Sequence, residues 1–117
     1  MAEYLPIYKP GQAITLAASA TVTGGQLVAV TGSGTVGPAG AASVSVVGVA
    51  AFDVASGDAV TIYAGGVQHA TASGAITAGA VVQAGAAGTV AAGTTAPIGI
   101  ALTTAADGAD VRIQLAR

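Results

Sequence analysis

Cysteine and tryptophan are absent from this 117-residue chain, and charge is nearly so: three Lys or Arg against five Asp or Glu give a net charge of −2. Without cysteine there are no disulfides and no thiolate metal sites. With only Lys9, Arg112 and Arg117 as bases, the chain lacks the clustered cations that neutralise a phosphate backbone, which argues against nucleic acid as a partner. Large side chains are scarce too, with one Phe and three Tyr, and the 53% apolar content overstates the core. Much of that content is Ala, whose single methyl buries little area. A chain of this size fits one domain, yet its hydrophobic stabilisation per residue is low, so a partner surface, as an oligomer or a docked subunit, is expected to add to it. Long hydrophobic runs are missing as well. Gly and Ser interrupt the most apolar stretch, 39–51, well short of membrane-spanning length. The first residues, M-A-E-Y-L-P, have neither the basic region nor the apolar core of a secretion signal, so the chain is expected to start at or near Met1 and to be made in a cytoplasm.

What the chain does have is repetition. The segment 48–62, GVAAFDVASGDAVTI, returns in diverged form as 99–113, GIALTTAADGADVRI. Gly48 aligns with Gly99, Ala50 with Ala101, Gly57 with Gly108, Val60 with Val111 and Ile62 with Ile113, all at an offset of 51 residues without a gap. Upstream, Val22 aligns with Ile76, Gly25 with Gly79, Val28 with Val82 and Gly34 with Gly88 at an offset of 54. The three-residue difference falls in the intervening loops. The expected organisation is an N-terminal arm of residues 1–12 followed by a single domain, 13–117, made of two similar halves, about 20–73 and 74–117. Two copies make a duplication, too few for a solenoid.

Alternation sets the fold class. Ile14 and Leu16 flank Thr15; Ser43 to Val46 alternates; 59–63 and 110–115 do the same, with Val111, Ile113 and Leu115 on one face and Asp110, Arg112 and Gln114 on the other. Gly or Pro punctuates the chain too often for ordinary helices, despite the Ala content. The expectation is an all-β fold: a compact antiparallel β barrel or sandwich of short strands with internal duplication and an extended N-terminal arm. That arm holds Tyr4, Leu5, Ile7 and Tyr8 among Pro6 and Pro10, which rule out a helix and leave few backbone donors. Leaving so many bulky side chains in water would waste their burial energy. These four are the candidate contact residues.

Other motifs resolve into turn chemistry. Residues 32–37, G-S-G-T-V-G, match the dinucleotide fingerprint, but Pro38 and an alternating strand follow where the fingerprint requires a helix N-terminus. His69 is the only His, so a His pair for a metal cannot form, and a catalytic set would need Asp53 or Asp58 and a Ser beside it. A surface His next to the Gly65-Gly66 turn is the plainer reading. Asp58 and Asp107 adjoin the paired glycines, where Asp stabilises turns through side-chain to backbone bonds. Asp110 and Arg112 share a strand face and could form a surface ion pair. No catalytic, cofactor or metal residue is assigned, and neither an enzyme activity nor a small-molecule substrate is expected.

Taken together, Pro10-Gly11, V-T-G-G-Q-L-V at 22–28, G-V-A-A-F-D-V-A-S-G-D-A-V at 48–60, Gly65-Gly66-Val67, A-I-T-A-G-A-V-V at 75–82 and the closing G-I-A-L to I-Q-L run resemble the small capsid decoration, or cement, proteins of tailed bacteriophages. The resemblance spans nearly the whole chain and rests on turn and strand motifs. It implies a structural protein that sits as homotrimers at three-fold and quasi-three-fold positions on the outer surface of an icosahedral head. There it would bind the major capsid protein and stabilise the shell against packaged DNA, with no cofactor and no membrane partner. The family carries no catalytic motif to transfer. An alternative from another class is a small carbohydrate-binding or surface-attachment β module, which would normally show exposed aromatics and a secretion signal. A small hydrolase is the third possibility, without a supporting site.

Overall fold

The computed structural model describes residues 4–116 as ten short strands and one turn of 3₁₀ helix. Met1, Ala2 and Glu3 of the arm, and Arg117, lie outside the described residues. β1 (Ile14–Ala18), β2 (Leu27–Gly32), β3 (Thr35–Pro38), β4 (Val46–Ala50) and β5 (Ala59–Tyr63) close into a barrel. β6 (Val67–Thr71), β7 (Val81–Ala84), β8 (Val90–Ala92), β9 (Pro97–Ala101) and β10 (Asp110–Leu115) form a five-stranded sheet. Around the barrel the neighbours run β1-β5-β4-β2-β3, with β3 returning in parallel to β1; the sheet runs β6-β10-β9-β7-β8. The two orders are the same. Even the parallel closure has its counterpart: Ala18 pairs with Val36 in the barrel, and Ala72 with Val90 as a lone parallel bridge in the sheet.

The duplication extends to single hydrogen bonds. Val22 and Val54 exchange backbone bonds, as do Ile76 and Ala105; Gly57 donates to Ala18 and Gly108 to Ala72; Gly25 donates to Ala50 and Gly79 to Ala101. Gly57 and Gly108 have φ of 93° and 80°, a conformation costly for any residue with a Cβ. Strand pairing places the change of unit between Tyr63 and Val67. β6, which the sequence division puts in the first half, pairs with β10, and β1, ahead of residue 20, pairs with β5.

Gly48 and Gly99 are glycine for a different reason. A Cβ at Gly48 would run into the carbonyl oxygen of Tyr63 and the Ile62 side chain, and one at Gly99 into the carbonyl oxygen of Gln114. Tyr63 and Gln114 are themselves repeat partners. Each half therefore needs a residue without a side chain where its fourth strand crosses closest to its fifth.

Two buried clusters follow from the alternation. Ala18, Val22, Val28, Val36, Ala50, Val60 and Ile62 fill the barrel. The second cluster centres on Ile76, Val82, Val90, Ile98, Val111, Ile113 and Leu115, and it also takes in Leu27, Ala29, Ala39, Val46 and Val49 from the outside of the barrel. Thus β2 and β4 are apolar on both faces, one turned to their own barrel and one to the second half. Aromatic rings stay out of both clusters: Tyr4, Tyr8, Phe52 and Tyr63 are all exposed.

Three local expectations are corrected. Residues 43–45 are not strand. Ser43 Oγ accepts from Ser45 N, and Ala42, at φ 54°, donates to Ala84 of the second half, so local side-chain bonding and the junction override the alternation. The Asp58 carboxylate makes no hydrogen bond among the described residues; Asp53 Oδ1 accepts from Gly24 N at 2.8 Å instead. Its repeat counterpart is Thr104, whose Oγ1 accepts from Ala78 N at 3.1 Å. Asp107 does bond, to Gly74 N at 2.8 Å, across 33 residues rather than within its own turn. Asp110 pairs with His69 rather than with its strand neighbour Arg112.

Replacing Gly48 or Gly99 with Ala should cost about 1–3 kcal/mol each, as expected for atoms forced into a filled site. Gly40, which has nothing within 4 Å of a built Cβ, should tolerate Ala with little change. Denaturant melts of the three variants check this, and equal effects at all three positions would contradict the close-approach explanation.

Candidate functional site

The arm reaches β1 through a turn in which Gln12 N donates to Lys9 O, and Gln12 Oε1 accepts from Lys9 N. Pro6 and Pro10 flank the segment, and Gly11 takes a φ of 87° to complete the turn. The four candidate residues separate into two groups. Tyr8 lies back on the domain, its hydroxyl accepting from Thr15 N at 3.3 Å. Tyr4, Leu5 and Ile7 stand in solvent, 78%, 78% and 89% exposed. Among the described residues, the arm thus holds its bulky apolar side chains, apart from Tyr8, in water.

A second feature is an open groove of about 410 Å³ between the halves, lined by Thr23, Gln26, His69, Thr71, Thr89 and Asp110 among others. β6 and β10 position its His–Asp pair. Antiparallel register sets His69 opposite Arg112 and Asp110 opposite Thr71, so His69 Nδ1 reaches Asp110 Oδ2 diagonally at 3.0 Å. The two side chains are 69% and 62% exposed, so water screens the pair. No polar or charged side chain is buried among the described residues, and no three His, Cys, Asp or Glu gather there in a way that could hold a metal. Residues 32–37, the glycine-rich match, run from the end of β2 through a tight turn into β3, with Gly34 at φ 73°.

A third surface escapes motif reading. On the outer face of β7 and β9, Val81, Pro97 and Ile100 line a shallow apolar hollow of about 550 Å³, with Thr94 and Ala116 at its margin. Ile100 sits opposite Val81 on one side and Gln114 on the other. A signal for it does exist in the sequence, because the repeat aligns Ile100 with Val49 and Val81 with Leu27, both of which are buried. The described residues thus carry exposed apolar side chains on the arm and an apolar hollow on β7 and β9.

The profile of the phage cement protein family matches residues 8–116. No curated protein matches the chain. Among solved structures, the N base of the head fibre gp8.5 of bacteriophage phi29 superposes with a TM-score of 0.73 at 23% identity, over 90% of this chain and 93% of that one. At that identity the likeness shows a shared fold.

Asp53→Ala should destabilise the domain by about 0.5–1.5 kcal/mol through loss of the bond to Gly24, whereas Asp58→Ala and His69→Ala should each change stability by under about 0.5 kcal/mol. Thermal melts at neutral pH decide it. A larger loss at Asp58 than at Asp53 would reverse the assignment of the two carboxylates.

Proposed function

The chain belongs to the phage cement protein family, and from that premise we propose that it is a structural decoration protein that binds the outer surface of an icosahedral phage head and stabilises the shell. The carrying observation is the family match over residues 8–116. The proposed partner is the major capsid protein, the proposed assembly a homotrimer at three-fold and quasi-three-fold positions, and the proposed origin the cytoplasm of the bacterial host. No catalytic step is part of this role.

The physical logic is multivalent attachment. Residues 13–117 act as one β unit and residues 1–12 as an arm. The arm sets Tyr4, Leu5 and Ile7 against a neighbouring subunit or the capsid, its main chain adding hydrogen bonds and its side chains choosing the site. A single such contact is weak. Three linked in one trimer raise the overall affinity by on the order of 10²–10⁴ when the geometry lets all engage together. The low charge suits a surface that packs against protein and not against phosphate.

Deleting residues 2–9 should leave the β circular-dichroism signal and cooperative melting intact. Co-sedimentation with purified heads that lack the protein should fall at least tenfold relative to the full chain. Equal sedimentation of the two would make the arm a mere tail; a full chain that fails to sediment with any head would remove the capsid reading itself.

A further inference from the structure

The two repeat units treat the free edge of their first strand differently. β1 and β6 hold the same place, with Thr15 aligned to His69 and Ala17 to Thr71 at the offset of 54. In the first half both edge donors are taken: Thr15 N donates to the Tyr8 hydroxyl at 3.3 Å, and Ala17 N to Gly34 O at 3.3 Å. In the second half they are not. β6 ends its sheet, and every second residue of it turns its main-chain groups away from β10. Leu115 N donates to Gly66 O, which fixes that alternation, and Arg112, opposite His69, spends its own N–H and C=O on Thr103 and Leu102. The N–H and C=O groups of Val67 and His69, and the N–H of Thr71, therefore find no partner among the described residues. Such a row on an exposed strand is a template for another strand. At His69 and Thr71 it opens on the groove of about 410 Å³, whose other lining comes from residues 23–26 and 87–89.

The difference between the edges has a source in the chain. The arm precedes β1, whereas only Ala64, Gly65 and Gly66 lie between β5 and β6. One arm is thus present for two like edges, and its outer part is unused: residues 4–7 make no hydrogen bond among the described residues, and Tyr4, Leu5 and Ile7 stand in solvent. Within one chain, free segment and free edge do not meet. Their chemistry matches in register. A strand added to an edge turns the N–H of every second residue toward it, so if Leu5 and Ile7 face β6, Pro6 points its missing donor to solvent, where an edge tolerates proline. That register also puts the Leu5 and Ile7 side chains on the same face as Val67 and His69. Whichever way the segment runs, one of the two falls beside Val67, which is 58% exposed.

We propose that residues 4–7 of one copy add as a short strand to the β6 edge of a second copy of this chain, Leu5 and Ile7 pairing with Val67 and His69 while Tyr8 keeps the root of the arm on its own β1. Arm and edge are different patches, so the contact is heterologous and builds a closed ring when its rotation closes. This gives the arm's proposed neighbour a defined receptor; its place on a head rests on the capsid reading, and its geometry does not.

The test uses variants of the full chain with no heads present, read by sedimentation velocity. His69→Pro removes a donor that β10 does not use. A Leu5→Pro, Ile7→Pro double variant removes both arm donors and keeps the segment extended. Each should weaken self-association by about tenfold or more. An equimolar mixture of the two should recover a one-to-one dimer, because the arm of the His69→Pro copy meets the intact edge of the other, and that recovery also shows both folded. Should His69→Pro melt early, Val67→Glu decides instead: it leaves every main-chain group in place, sets a charge beside the added strand, and should weaken association to the same degree with unchanged far-UV circular dichroism. The proposal is overturned if the unmodified chain stays monomeric, which includes an arm that folds onto its own β6, or if the mixture recovers no dimer from folded variants. It is equally overturned if the double-proline arm or Val67→Glu associates as well as the unmodified chain. A chain that assembles in this way yet binds no head leaves the contact standing and removes only the capsid reading; a monomeric chain that still coats heads does the reverse.

Discussion

Close approach of backbone to backbone at Gly48 and Gly99 is the constraint on which the rest of the architecture depends. A strand that crosses against a neighbour's carbonyl leaves no room for a side chain at the crossing, and the buried interior of the barrel is built of Ala, Val and Ile. That accounts for a composition rich in Gly and Ala and for aromatic rings confined to the surface. Dispersion contacts between small, well-fitted side chains then carry the packing. The buried area per residue is modest, and the doubled face of β2 and β4 adds to it by joining the halves through Leu27, Val46 and Val49.

Placing a repeat against its own copy leaves one set of contacts unused. The first half spends its outer β2–β4 face on the second half; the second half has no third unit to cover β7–β9.

Much of this was legible in the sequence because glycine leaves a physical signature. The offsets of 51 and 54 residues found the fourth and fifth strands of each half and the paired turns, and the alternation of Val111, Ile113 and Leu115 found the inward face of β10. Other features depend on what lies across space. The strands β1 and β6 share little sequence, so only their pairing with β5 and β10 reveals them as repeat partners. Ser43 to Val46 alternates like a strand, yet Ala42 is drawn to Ala84 and the ladder begins only at Val46. Asp58 sits beside the conspicuous glycine, while the bond is made by Asp53, because Gly24 arrives there from 29 residues away. The uncovered β7–β9 face is visible in sequence only once burial shows what Val49 and Leu27 are for.

The central claim is that this small-residue double β unit is a decoration of the outside of a phage head. Electron cryo-microscopy of purified heads lacking the protein, imaged after incubation with the full chain, tests it most directly. The account predicts added density on the outer surface at three-fold and quasi-three-fold positions into which the barrel and sheet fit as one body, with the arm segment 4–8 traceable into a neighbouring subunit. Heads that remain bare at saturating protein, or density confined to the inside of the shell, would contradict it.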